Sequence, residues 1–175
     1  MKDNEQTTYS EMEFNAIMEN CRDNFQHSLC LKILCNFGLT ISEAINIKNK
    51  DIDLEKKEIK IYPWKKCFRS RALPIPEDLL PSIRIQMGQR DGDEYFLVGR
   101  KNSQLHPKTI EKILIKTQKK LGIRVTLTKI RQTVINNLIG LGWGLKAIRK
   151  FLGHARMRTI KKIIEEKNLN PPRFY

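Results

Sequence analysis

The sequence predicts an α+β domain that is mostly helical, with a small three-stranded antiparallel sheet. Apolar residues recur at helical spacing up to about residue 47, alternate with polar residues between about 51 and 75, and then return to helical spacing. Three short alternating segments in succession are typical of small antiparallel sheets. The 175 residues suffice for one such domain with a hydrophobic core.

The first two predicted helices have clear boundary signals. Residues 10–21 have apolar positions at helical spacing, and Ser10 with Glu13 forms a capping-box pattern. Residues 26–37 form a more apolar helix. Gly38 ends it, because glycine readily adopts the left-handed conformation that follows a helix.

The third predicted helix begins with a second capping-box pattern. Thr40 is the expected N-cap and Glu43 its partner, and the helix runs to about Ile47. The predicted strands follow at Asp51–Leu54, Glu58–Tyr62 and Arg71–Ile75.

The rest of the chain is predicted to be largely helical, within one domain at residues 9–165 between tails at residues 1–8 and 166–175. The predicted elements are a helix from Pro76 to about Met87, an apolar stretch Tyr95–Val98, a basic helix Pro107–Leu121 ended by Gly122, and helices from Thr126 onward, broken at Gly140, Gly142 and Gly144 and ending at Pro171. The expected core residues are Leu31, Ile33, Leu34, Phe37, Ile45, Ile61, Leu73, Leu114, Val134, Leu138, Ile148, Leu152 and Ile163.

Composition excludes several classes of protein. No apolar run approaches the roughly 20 residues that span a bilayer, and the polar first residues do not form a signal peptide. We therefore expect a cytoplasmic protein without a membrane partner. The cysteines lack the spacing of a metal site, so we expect free thiols, no metal and no cofactor.

Positive charge is concentrated in the later part of the chain. Residues 1–100 carry 15 basic and 16 acidic side chains, whereas residues 101–175 carry 18 basic and 3 acidic ones. This asymmetry indicates a polyanionic partner, and we expect double-stranded DNA.

Three segments carry recognisable motifs. They are residues 37–44 (FGLTISEA) with 49–53 (NKDID), the cationic turn 65–74 (KKCFRSRALP), and residues 128–133 (TKIRQT) with 148–154 (IRKFLGH). Together they resemble the catalytic domain of the tyrosine recombinase or phage integrase family. They are similar, in order, to that family's G-L-R-I-S-E and D-I-D, to its G-K-x-x-K-x-R-x-V-P turn, and to its H-x-L-R-H-T and I-x-x-x-L-G-H. The resemblance covers about residues 9–165.

The resemblance implies a specific chemistry. In that family a tyrosine attacks a DNA phosphodiester without a metal, while two arginines, a lysine and two histidine-type groups stabilise charge and protonate the leaving oxygen. The retained positions, and so the candidate catalytic residues, are Lys66, Arg131 and His154. The first arginine, the earlier histidine and the tyrosine are replaced by Thr40, Thr128 and Ile163. Loss of the nucleophile removes the covalent route. The resemblance therefore implies a DNA-binding integrase-like domain that does not cleave.

Phosphate contacts are expected from cations in and around these motifs. They are Lys65, Lys66, Arg69, Arg71, Lys116, Lys119, Lys120, Lys129, Arg131, Arg149, Lys150 and His154.

Whether the chain is an enzyme stays open at this point, and three alternatives remain. It could be an active recombinase that uses Tyr175, in its own site or in that of a neighbouring subunit. It could be a helix-turn-helix regulator, because Leu39–Ile47 and Trp143–Ile163 have the short-helix, tight-turn pattern of that motif. It could be a non-catalytic subunit that pairs with an active recombinase. A second copy of the chain or an active recombinase is the corresponding protein partner.

Overall fold

The computed structural model describes residues 7–20, 24–63 and 70–153 and confirms the predicted fold class. Within these residues, helices come before and after one small sheet in the sequence. The elements are α1 (Glu11–Glu19), α2 (Phe25–Phe37), α3 (Ile41–Asn46), β1 (Ile52–Asp53), β2 (Glu58–Ile61), β3 (Arg71–Pro74), α4 (Leu80–Met87), α5 (Pro107–Leu121), α6 (Leu127–Gly140) and α7 (Leu145–Leu152). Short 3₁₀ turns lie at Asn49–Asp51, Glu77–Leu79 and Arg100–Asn102.

The sheet is antiparallel throughout, with strand order β1-β2-β3. Ile59 of β2 pairs with Ile52 on one side and Leu73 on the other. Along β2, Ile59 and Ile61 are buried while Glu58 and Lys60 are exposed. One face of the sheet therefore joins the core and the other meets solvent, as the alternation in the sequence predicts.

Helix α2 lies at the centre of the domain and packs against α1, α3, α4, α5 and α6. More than half of its residues are buried, which explains why its sequence is apolar around most of its circumference. All predicted core residues that the structure describes are buried: Leu31, Ile33, Leu34, Phe37, Ile45, Ile61, Leu73, Leu114, Val134, Leu138, Ile148 and Leu152. Ile163 lies outside the described residues.

The predicted helix boundaries agree with the structure in most places. Both capping boxes form, at Ser10 with Glu13 and at Thr40 with Glu43, and Gly38 ends α2 in the left-handed conformation. The predicted helix at Pro76 differs, because it begins with a 3₁₀ turn and becomes α-helical only at Leu80. The predicted helices beyond residue 153 lie outside the described residues. Among the residues described, no helix is long and apolar enough to cross a membrane.

Candidate nucleic-acid interface

The N-terminus of α3 holds Thr40, at the position of the first arginine in the family motif. The Thr40 hydroxyl accepts a hydrogen bond from the backbone N–H of Glu43 at 3.2 Å and donates one to the Glu43 carboxylate at 2.9 Å. The Thr40 backbone N–H donates to the same carboxylate oxygen at 2.9 Å. Thr40 therefore caps the helix, and it brings no positive charge to this point.

Glu43, on the first turn of α3, is a buried carboxylate at the centre of the site. Its Oε2 accepts from Thr40, and its Oε1 accepts from Nη1 of Arg71 at 2.6 Å. Burial raises the pKa of Glu43, but hydrogen bonds from Arg71 and Thr40 and the charge of Arg71 more than offset this, so the pKa lies below its usual value. Glu43 is therefore ionised at neutral pH.

Arg71, the first residue of β3, is buried, and this corrects the expectation that it contacts a DNA phosphate. Its side chain is only 4% exposed, and its Nε donates to the carbonyl oxygen of Phe151 at 2.6 Å. The reason is the strand alternation, which places Arg71 on the same inward face as Leu73. Arg71 joins β3 to α3 and α7 inside the protein, where a phosphate cannot reach it.

Arg131 lies on the first turns of α6. Its side chain is more exposed to solvent than those of Glu43 and Arg71. Its Nη1 donates to the carbonyl oxygen of Gly38 at 2.6 Å and lies 3.8 Å from Oε2 of Glu43. The side chain is 20% exposed. Burial lowers the pKa of Arg131, and the charge of Glu43 opposes that shift. An arginine stays protonated in proteins, so Arg131 offers a positive charge and remaining N–H groups to an anion outside.

Lys129 is directed away from Arg131. Two helical residues rotate a side chain by about 200°, which places Lys129 and Arg131 on opposite faces of α6. The Nζ atom of Lys129 lies 4.5 Å from the centre of the Tyr9 ring, and Tyr9 itself is buried. Lys129 therefore does not share the surface that carries Arg131, contrary to the sequence-based expectation. Thr128, at the position of the earlier histidine, is exposed.

The other predicted cations in the described residues lie on exposed helix surfaces, at different places. Arg149 and Lys150 occupy the last turn of α7, next to Phe151, whose carbonyl receives Arg71. Lys116, Lys119 and Lys120 lie on α5, where Lys120 donates to the carbonyl of Asn20 at 3.1 Å. Asn20 ends α1, shortly before the chain enters α2, whereas Arg131 binds the other end of that helix, about 20 Å away. The structure therefore does not gather the α5 lysines and Arg131 into one cluster.

Several predicted site residues lie outside the described residues. These are Lys65, Lys66, Arg69 and His154, together with Ile163 and Tyr175.

Sequence reasoning missed the central role of Glu43, which it assigned only to a capping box. It also missed the carbonyl group of Gly38 as the acceptor for Arg131. One signal was available: Arg71, Leu73 and Ile75 share one face of an alternating strand, which indicates an inward arginine in need of a buried partner.

Positive charge dominates the part of the chain that carries these helices. Residues 112–153 contain ten lysines and arginines and no aspartate or glutamate. Helices α6 and α7 and most of α5 therefore carry a net positive charge, and such charge attracts polyanions.

The chain thus forms a mostly helical domain with a three-stranded antiparallel sheet, in which Arg131 is held at the end of α2. Residues 8–167 match the sequence model of the phage integrase family, and the chain belongs to that family. Tyrosine recombinase XerA of Pyrococcus furiosus is 31% identical over 163 residues, which cover 85% of this chain and 57% of the relative. XerA of Thermococcus onnurineus is 33% identical over 135 residues, which cover 75% of this chain and 48% of the relative. The chain thus spans about half the length of these curated relatives.

Solved structures show the same fold. A crystal structure of XerA recombinase superposes with a TM-score of 0.79 and 20% identity, over 100% of this chain and 66% of the other. XerH recombinase bound to its difH substrate gives a TM-score of 0.73 at 21% identity, over 93% of this chain and 52% of the other. A lambda integrase dimer bound to a core site gives 0.70 at 13% identity, over 96% and 50%.

Proposed function

We propose that this chain is a duplex-DNA-binding domain of the phage integrase family that holds DNA through its phosphates and does not cleave it. In this role Arg131 contacts a phosphate, and exposed cations of α5 and α7 add contacts along the backbone. The retained positions Lys66 and His154 belong to the same proposal, with Lys65 and Arg69 as further phosphate contacts.

The observation that carries the lack of cleavage is the geometry of Thr40. Its hydroxyl group makes two hydrogen bonds to Glu43 within the helix cap, so the position supplies no cation to a pentavalent phosphorus. Loss of one such stabilising group typically costs about 10²–10³ in rate. Isoleucine at position 163 also lacks a nucleophilic atom.

DNA binding is supported by charge and by the relatives. Arg131 has a positively charged side chain that is 20% exposed, and residues 112–153 contain no acidic side chain. The XerH and lambda integrase structures of the same fold are DNA complexes. Membership of the phage integrase family removes the alternative of an unrelated helix-turn-helix regulator.

Cleavage is tested by incubating the chain with nicked suicide duplexes and looking for a covalent adduct on a denaturing gel. We expect no adduct. An adduct that disappears in Tyr175→Phe would overturn the proposal in favour of an active recombinase that uses Tyr175.

Binding is tested by fluorescence anisotropy with a labelled duplex between 50 and 200 mM KCl. Affinity should fall steeply with salt, because each phosphate contact releases counterions and adds about 0.9 to the slope of log K against log salt. Arg131→Ala should reduce that slope by about 0.9, the contribution of one phosphate contact. The reduction should be the same on every DNA sequence, since phosphates carry no base identity. Lys129→Ala, on the opposite face of α6, is the matched control and should not reduce the slope. Salt-independent binding, or none by the folded chain, would contradict DNA as the ligand and favour a non-catalytic partner subunit.

A further inference from the structure

Three charged side chains lie close together at the junction of α3, β3 and α6, and their net charge is positive. Glu43 contributes one negative charge, and Arg71 and Arg131 one positive charge each. Only Arg131 is appreciably exposed, since the other two side chains are at most 8% exposed. The net positive charge of the cluster therefore reaches solvent through Arg131.

We propose that Arg71 is a positioning residue that neutralises Glu43 and so leaves the charge of Arg131 available to a DNA phosphate. This inference rests on the proposed function, because it assigns Arg131 to a phosphate. Arg71 itself does not touch the DNA.

The hydrogen bonds around Glu43 support these separate roles, in which Arg71 neutralises Glu43 and Arg131 stays available to a phosphate. Arg71 donates to Oε1, and Thr40 donates to Oε2 through both its hydroxyl and its backbone N–H. Arg131, at 3.8 Å, lies beyond hydrogen-bond distance and donates to the carbonyl of Gly38 instead. The oxygen that faces Arg131, Oε2, thus already accepts two hydrogen bonds from Thr40, and Arg131 is not drawn into a tight ion pair.

Without Arg71, the same carboxylate would be buried with no hydrogen-bonded counterion, and of the described cations only Arg131 at 3.8 Å would remain close to it. An uncompensated buried charge is strongly unfavourable. Arg131 is the nearest remaining cation among the described residues, and a movement of about 1 Å would bring it within charge-assisted hydrogen-bond distance of Glu43. The net charge of the cluster would fall to zero, and the site would lose its attraction for a phosphate.

The C-terminal end of α7 surrounds the guanidinium group of Arg71. The carbonyl of Phe151 accepts from Nε, and a Cβ atom on Gly153 would overlap Nη1 and Cζ of Arg71. Gly153 also has a φ of +73°, which favours glycine. The glycine of the L-G-H segment therefore makes room for this guanidinium group.

The test compares salt slopes of duplex binding for variants of the 175-residue chain, with folding checked by circular dichroism and thermal unfolding. Arg71→Gln removes the counterion and should lower the salt slope by about 0.9, the contribution of one phosphate contact, as Arg131→Ala does. The double variant Arg71→Gln/Arg131→Ala should show no further loss of slope. Arg71→Lys keeps the charge and should restore the wild-type slope, even if unfolding occurs at lower temperature. Arg90→Gln is the matched control: Arg90 is partly buried and donates to the backbone carbonyls of Tyr95 and Phe96, away from this cluster.

A second pair of variants serves if Arg71→Gln does not fold. Glu43→Gln and Glu43→Gln/Arg71→Gln leave no carboxylate to compete for Arg131, so both should keep at least the wild-type slope. If the cluster had a purely structural role, all of these variants would show a smaller salt slope of DNA binding than the wild type.

The outcomes separate this inference from the proposed function. If the wild type binds with a steep slope that Arg131→Ala reduces, but Arg71→Gln keeps the wild-type slope, the inference is wrong and the proposed function stands. A lowered slope in Glu43→Gln would likewise overturn the inference. If the folded wild type shows no salt-dependent DNA binding, the proposed function fails and the inference fails with it.

Discussion

Arg131 of α6 donates from Nη1 to the backbone carbonyl of Gly38, the residue that ends α2, at 2.6 Å. The carbonyls at the C-terminal end of a helix lack partners within the helix and carry partial negative charge, so a guanidinium group is a favourable neighbour. This bond fastens the most exposed member of the buried charge cluster to the central helix. The position of Arg131 therefore depends on how α2 ends.

Gly38→Ala should destabilise the domain by about 2–4 kcal/mol, because it combines an unfavourable backbone conformation with overpacking. Gly38 has a φ of +56°, and a Cβ atom there would lie 2.8 Å from Cδ2 of Leu152. Urea unfolding measures the loss. Gly122→Ala is the matched control, since Gly122 has a φ of +68° with open space around it, and it should lose only about 1–2 kcal/mol. Equal losses would show that the contact with Leu152 is unimportant.

Thr40→Ala should cost about 0.5–2 kcal/mol through loss of the helix cap. The loss should exceed that of Ser10→Ala, which removes the same type of capping box at α1. The reason is that Thr40 also donates to a buried carboxylate, whereas Glu13, the partner of Ser10, is only partly buried and its hydrogen bond with Ser10 is exposed. Chemical unfolding of the two variants under identical conditions gives the comparison. A larger loss in Ser10→Ala would contradict the account of Glu43.

The stability of the domain should decline at acid pH in part because of Glu43. Its pKa in the folded state lies below its usual value of 4.5, so its contribution is present above that pH and is lost as the pH falls through the folded-state pKa. Urea unfolding between pH 7 and pH 3 should therefore show a shallower decline in Glu43→Gln than in the wild type. Parallel curves for the two proteins would contradict the prediction.

Tyr9→Phe should destabilise the domain by about 1–3 kcal/mol without changing the salt slope of DNA binding. The Tyr9 hydroxyl donates to the carbonyl of Arg124 at 2.8 Å and accepts from the N–H of Thr126 at 3.0 Å, so its loss leaves two backbone groups without that partner. Tyr9 lies on the face of α6 opposite Arg131. Tyr62→Phe, at a residue that is 47% exposed, is the control and should change neither quantity. A reduced slope in Tyr9→Phe would show that the two faces of α6 are coupled.

Restoring the family residues should require all three changes at once. Thr40→Arg, Thr128→His and Ile163→Tyr should each give no covalent adduct with suicide duplexes, because groups that act as a unit are not additive. We expect an adduct from the triple variant. The control is Thr40→Arg/Thr128→His, which lacks the nucleophile. An adduct from any single variant would show that the present chain retains more of the cleavage machinery than we propose.

Much of the fold follows from local rules that the sequence states directly. The two capping boxes, the left-handed glycine after α2 and the alternation of β2 each involve residues within a few positions of one another. Local backbone preferences decide such features, so they can be predicted without knowledge of the rest of the chain. The core residues were predictable for the same reason, since periodicity defines the apolar face of each element.

The site depended on contacts between distant parts of the chain. The sequence by itself determined which residue types were available: Thr40 in place of an arginine, Arg131 retained, and a basic stretch without acidic residues. Only the tertiary structure decided that Arg71 meets Glu43, 28 positions earlier, and that Arg131 meets Gly38, 93 positions earlier. The cationic turn suggested a phosphate contact for Arg71, yet its strand faces the core. An ion pair forms wherever packing brings opposite charges within a few ångströms, and no local spacing in the sequence encodes that distance.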